Sequence, residues 1–247
     1  CGALCSSNPT SGVILVEFDK TGFNVEAMSD SAICSPETVS AHMLYENADP
    51  YILYEPGGYM DVTNACYQSI NSRKVRVQGG LWVSSKKYTV KLEGARVSGY
   101  QTSLLVLLRD NDYVKNAIKW TEKLSIFLSK EIKQRMNLDS QEYSLNFRHI
   151  GLNAVFGDLE KNIGNPSEVG VLCIITSKTP NLCTEIAKLI NPFLLHFPLT
   201  VDEELPTFAF PYSPVHSDRG CVYEFALHHV LELNDPMDAF QIKTLEV

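Results

Sequence analysis

Thr102-Ser103-Leu104-Leu105-Val106-Leu107-Leu108-Arg109-Asp110-Asn111-Asp112 is the stretch that decides the fold. Its apolar run is short and ends in a cluster of polar, turn-forming residues, which predicts a buried strand over residues 102–109. Asp110-Asn111-Asp112 then supplies side-chain oxygens for the first amides of a helix. That helix runs to about Met136. Val114, Ala117, Ile118, Leu124, Phe127, Leu128 and Ile132 recur on one face and lysines lie opposite.

Outward toward the carboxyl end, Tyr143 to Ile150 reads as a strand, and Glu168 to Thr176 as another built on Val169, Val171, Leu172, Ile174 and Ile175. Thr179-Pro180 opens a second helix, through Leu189 or Ile190, that Asn191-Pro192 should stop. Cys221 to Leu233 is a last long strand. The order β-α-β-β-α-β predicts a ferredoxin-like domain over residues 99–247, with an antiparallel four-stranded sheet and two helices on one face. The Pro-rich insert Phe197 to Gly220 is long for a compact domain and should cover part of it.

Toward the amino end, residues 1–98 read as a strand-rich part with one helix, so the fold class is α+β. Val13 to Phe18 is a strand. Ser35-Pro36-Glu37 begins a helix to about Asn47: a Ser cap, a Pro at the first helical position and an acid near the positive end. Asp49-Pro50 and Glu55-Pro56-Gly57-Gly58 break the chain twice. Two strands follow between residues 73 and 98, on Val75 and Val77 and then on Tyr88, Val90 and Leu92.

Composition bounds the function. The formal net charge is -8, and no Lys/Arg cluster is dense enough to follow a phosphate backbone, so no nucleic-acid role is expected. No run approaches the roughly eighteen apolar residues of a membrane span, and no signal peptide is visible. Cysteines stand at 1, 5, 34, 66, 173, 183 and 221. No CxxC pair or structural zinc spacing occurs, which favours a reducing, cytoplasmic location. Phosphate loops, dinucleotide fingerprints and serine elbows are absent, so no cofactor is assigned.

Chemistry concentrates in residues 41–58, which carry three carboxylates, three tyrosines, a histidine and a Gly-Gly turn. Glu46, Asp49 and Glu55 are candidate acid–base groups, because carboxylates in unlike environments divide acid and base roles. The plainer reading makes them helix-end and turn residues. Gly57 and Gly58 admit an anion to backbone N–H groups, although a plain turn is the simpler account. Arg109 ends an apolar strand and either pairs with Glu93 or grips a ligand carboxylate. His228 and His229 are strand neighbours that point to opposite faces, so one of them at most faces a given pocket. No histidine pair has metal-ligand spacing, so no metal is assigned from sequence, and a metal site would require tertiary convergence. Cys1 places a thiol beside its own α-amine, a base of pKa about 8. A boundary set by trimming, proteolysis or a longer polypeptide is the favoured account of that residue.

Several segments resemble the acyclic terpene utilisation (AtuA-like) family. They are residues 40–46 (Ser40 to Glu46) with Asp49-Pro50, Lys91-Leu92-Glu93-Gly94-Ala95 with Gly99-Tyr100, and Leu108-Arg109-Asp110. Residues 220–225 (Gly220 to Phe225), His228-His229 and Asp235-Pro236 are similar to its closing strand. The resemblance implies the carboxy-terminal half of a longer protein, completed by a missing segment or by a partner chain in an oligomer. It also implies a metabolic setting in which acyclic terpenes are degraded as coenzyme A thioesters, and so a small-molecule substrate of acyl or carboxylate type. The competing expectations are a non-catalytic assembly module and a hydrolase that uses Cys1.

Overall fold

A computed structural model of the protein describes residues 13–30, 32–44, 47, 49–240 and 243–245. The chain divides into two units: residues 1–94 with 226–247, and residues 95–225.

In the first unit, Ile14–Asp19 (β1) and Gly22–Ala27 (β2) form a hairpin. Asp19 closes its turn by accepting from the Thr21 amide and hydroxyl at 2.7 and 2.8 Å. Arg76 Nη1 lies 2.7 Å from Asp19 and, with that turn, holds the Asp19 carboxyl well below the usual carboxylate range. The capped segment Pro36–Ser40 (α1) packs Val39 against Val25, Ala27, Val75 and Val77. The expected helix to Asn47 is far shorter. Its capping box is present: Ser35 accepts from the Thr38 amide, and Thr38 Oγ1 accepts from the Ser35 amide. Val39 is its only buried residue, so further turns would gain little burial against the cost of ordering them.

Ile52–Glu55 (β3), Gly58–Asp61 (β4), Cys66–Asn71 (β5), Lys74–Gln78 (β6) and Leu81–Ser84 (β7) follow. They complete two antiparallel sheets, ordered β1-β2-β6-β5 and β3-β4-β7.

Tyr88–Leu108 (β8) is one strand of 21 residues. It joins two strands expected separately, the one on Tyr88, Val90 and Leu92 and the one over residues 102–109, through Gly94 and Gly99. At Gly99 a side chain would meet the Ser177 carbonyl at 2.8 Å, so the missing Cβ lets the sheet run on unbroken. Asn111–Lys115 (α2), Ala117–Met136 (α3), Tyr143–Ile150 (β9), Val169–Ser177 (β10), Pro180–His196 (α4) and His216–Leu233 (β11) complete the order strand–helix–strand–strand–helix–strand. The sheet runs β11-β8-β10-β9. Leu104, Val106 and Leu108 of β8 and Val171, Cys173 and Ile175 of β10 alternate inward. They meet Trp120, Leu124, Leu128 and Ile132 of α3 and Ile186, Ile190 and Leu194 of α4.

Two helix boundaries differ from expectation. The helix expected from Asp110 to Met136 is broken at Asn116, whose amide nitrogen Nδ2 donates to the Asp112 carbonyl at 2.8 Å and competes with the backbone ladder. The second helix passes through Pro192 to His196 rather than stopping at Asn191. An interior proline costs about 3 kcal/mol. Here it is offset by Leu194, which is fully buried, and by Phe193 and Phe197, whose rings lie 4.9 and 5.1 Å from Phe127.

The Pro-rich insert does cover the core. Phe208 sits edge-on to Tyr113 and Trp120, with centroids 4.8 and 5.3 Å apart, and Trp120 Nε1 donates to the Phe197 carbonyl at 2.9 Å. Burial and the Glu203 carboxylate beside it push the Tyr113 phenol up to about 12. Among the described residues no helix is long and apolar enough to cross a membrane.

His149 faces the core from β9, its ring nitrogens 2.8 Å from Thr121 Oγ1 and 3.1 Å from Asn153 Oδ1. Burial lowers its pKa, more than the Asn153 contact raises it. The unfolded chain therefore binds a proton there at higher pH than the folded one. The stabilisation is complete above about pH 6.5 and is lost as the pH falls through the folded value. Denaturant unfolding between pH 7 and pH 5 should show a slope of up to about 1.4 kcal/mol per pH unit from this group, absent in His149→Gln. Leu128→Ala should cost about 2–5 kcal/mol in the same measurement, because Leu128 is wholly enclosed.

Candidate active site

Alternation along β8 places Thr89, Lys91 and Glu93 on one face of that strand, opposite Val90, and Lys87 directly precedes it. His228 and Glu232 of β11 meet this polar face. Glu232 pairs with Lys87 at 2.7 Å, and His228 Nδ1 lies 3.5 Å from Glu93 Oε1.

Glu55 reaches the same face from the turn between β3 and β4. The turn residues are Pro56 and Gly57, with Glu55 registered opposite Gly58. Gly57 has φ of +84°, a conformation that glycine adopts without strain at the second turn position. A side chain at Gly58 would collide with the Val83 backbone and the Trp82 ring. Gly57 donates its N–H to Thr89 Oγ1 and accepts from the Ser85 N–H, both at 2.7 Å. The turn is thereby fixed over β8, and Lys91 Nζ donates to Glu55 Oε1 at 3.0 Å.

The result is a row of alternating charge: Glu55, Lys91, Glu93, His228. Lys91 Nζ lies 3.3 Å from Glu93, and Glu93 Oε1 is shared with the imidazole. The Glu55 hydrogen bond, and then Glu93, raise the Lys91 pKa, so its ammonium persists through neutral pH. Its side chain is 17% exposed, whereas His228 is 57% exposed and reachable from solvent. At 3.5 Å the Glu93–His228 contact orients charge rather than forming a short hydrogen bond. A cavity of about 290 Å³ in the same unit is lined by Tyr54, Tyr59, Ser84, Thr89, Val230 and Glu232.

The other residues singled out from sequence fall elsewhere. Asp49 accepts from the amides of Tyr51 and Ile52 at 2.8 and 3.1 Å, which starts β3. Arg109 belongs to the second unit and donates to the Ser167 carbonyl at 2.8 Å, while Glu93 takes Lys91 and His228. Glu46 and Cys1 lie outside the described residues. Lys91 and Glu93 were not among the sequence candidates, although a signal was present: the polar partners of the alternation Tyr88, Val90, Leu92. Among the described residues no group of three or more His, Cys, Asp or Glu is placed to hold a metal ion.

The fold class is α+β, with a charged row on one face of an antiparallel strand. Residues 11–209, most of the chain, match the family described as acyclic terpene utilisation family protein AtuA, and the chain belongs to that family. The closing-strand segments at 220–236 lie beyond the matched range. No curated protein and no solved structure matches the chain.

Thr89→Val should strand the Gly57 N–H in a part-buried site and cost about 1–3 kcal/mol in chemical denaturation. Thr89→Ser should keep most of that stability, and amide exchange at Gly57 should quicken only in the valine variant.

Proposed function

We propose that the chain is a metabolic enzyme, or part of one, that moves a proton next to the carbonyl of an acyl or carboxylate-type small molecule. The single observation that supports this reading is the row Glu55, Lys91, Glu93, His228 on one strand face. His228 is the general base, and Glu93 stabilises the positive charge the ring gains as it takes the proton. Glu55 and Glu93 engage two of the three donors on Lys91. The third is available to a substrate carbonyl oxygen, where negative charge develops as the proton leaves. Membership of the AtuA family favours a branched, terpene-derived acyl group, carried as a coenzyme A thioester or as the free acid.

A second reading, as an assembly module, has its own support. β1 is an edge strand, with Val16 and Phe18 on its apolar face 36% and 78% exposed. In that reading the ferredoxin-like domain and β1 seat a partner chain or a second copy, and Asp49 and Arg109 are structural.

Proton removal leaves a trace that needs no knowledge of the full reaction. The full-length gene product, incubated in D2O with branched-chain acyl coenzyme A thioesters and their free acids, should place deuterium on the carbon next to the carbonyl. His228→Ala should reduce that exchange about 100-fold, and Glu93→Gln somewhat less. Exchange at the buffer rate across the whole panel would overturn the enzymatic reading.

A further inference from the structure

The sheet of the second unit carries its helices on one face only. The other face holds a cavity of about 750 Å³, within the range of small-molecule sites. Its floor is set by register. Leu172 of β10 stands opposite Leu105 of β8, and Ile174 opposite Ser103. These side chains point away from the core that Val171, Cys173 and Ile175 build. The segment from Tyr212 to Val215 forms one wall.

β11 supplies the charge. Thr102 and Thr184 both donate to Asp218, at 2.8 and 3.3 Å, which turns that carboxylate to the helix side of the sheet. Alternation then puts Ser217 and Arg219 on the open face, where both line the cavity, and Ser103 Oγ lies 3.5 Å from the Ser217 carbonyl. No Asp or Glu lines this cavity, in a chain whose formal net charge is -8. Arg219 has no salt bridge among the described residues. An apolar floor beside one guanidinium without a salt bridge, with no acid in the lining, is complementary to a molecule with an aliphatic body and a single anionic end.

We propose that this face is a binding site for an aliphatic carboxylate, its chain laid over Leu105, Leu172 and Ile174 and its carboxylate held by Arg219. Gln101 adds a neutral donor along the same edge, through the amide hydrogen that its bond to Thr176 leaves over. The inference stands apart from the charged row of the first unit and needs no reaction there.

Octanoate is a suitable probe, with octan-1-ol as its uncharged counterpart. In amide NMR titrations of the full chain, octanoate should shift Ser103, Leu105, Leu172 and Ile174 saturably. Octan-1-ol should bind about tenfold more weakly. Arg219→Gln should remove that preference and leave octan-1-ol binding unchanged, whereas Arg219→Lys should restore part of it. The side chain of Arg219 is exposed, so these variants retain the fold. Equal affinity for acid and alcohol would overturn the proposal, as would shifts confined to other surfaces. So would finding this face covered in a dimer that Ile174→Asp dissociates and octanoate does not.

Discussion

The period of two along β8 is the constraint on which the rest depends. Over residues 104–108 it sends every second side chain into the core with Trp120 and Leu124. Over residues 88–93 the same period gathers Thr89, Lys91 and Glu93 on one face. A one-residue slip in register would exchange both sets at once, replacing buried leucines and valines by the residues between them. Gly99 lets β8 run beside β10 without a break, since a side chain there would meet the Ser177 carbonyl at 2.8 Å.

Charge in the candidate site is held in balance rather than left bare. Lys91 stands between two carboxylates, and Glu93 is shared with His228. Such partly exposed pairs contribute little stability, about 0–1 kcal/mol each. The arrangement is costly to order and returns little to the fold, which sets it apart from the capping and turn contacts of Ser35, Asp49 and Asp110. Those local bonds close one turn each and need no distant partner.

Much of the fold was legible because its signals are local. Strong periodicity gave the α+β class, the element order of the second unit, and the caps at Ser35 and Asp110. What was misread involved competition between local preference and tertiary burial. Pro192 signals a stop, yet the helix continues because Leu194 is enclosed. Val39 lies in a helical pattern that outlasts the helix, and no described residue from Ser40 to Asn47 is buried. The candidate site was legible only at Glu55 and His228, which lie on segments far apart in sequence. Lys91 and Glu93 become its centre only through strand pairing, and alternation alone does not say which polar face is shared. Arg109, placed at a strand end by its sequence, is held by the Ser167 carbonyl within the second unit.

The two units differ in how they are threaded. Residues 95–225 are continuous, whereas the first unit needs residues 226–247 as well as 1–94. During synthesis the continuous unit has all its residues once position 225 has left the ribosome, and domains fold as units in the order they emerge. His228, Val230 and Glu232 arrive after that. The charged row is thus completed only after the continuous unit has emerged, and a nascent chain halted before residue 228 would lack the imidazole that shares Glu93.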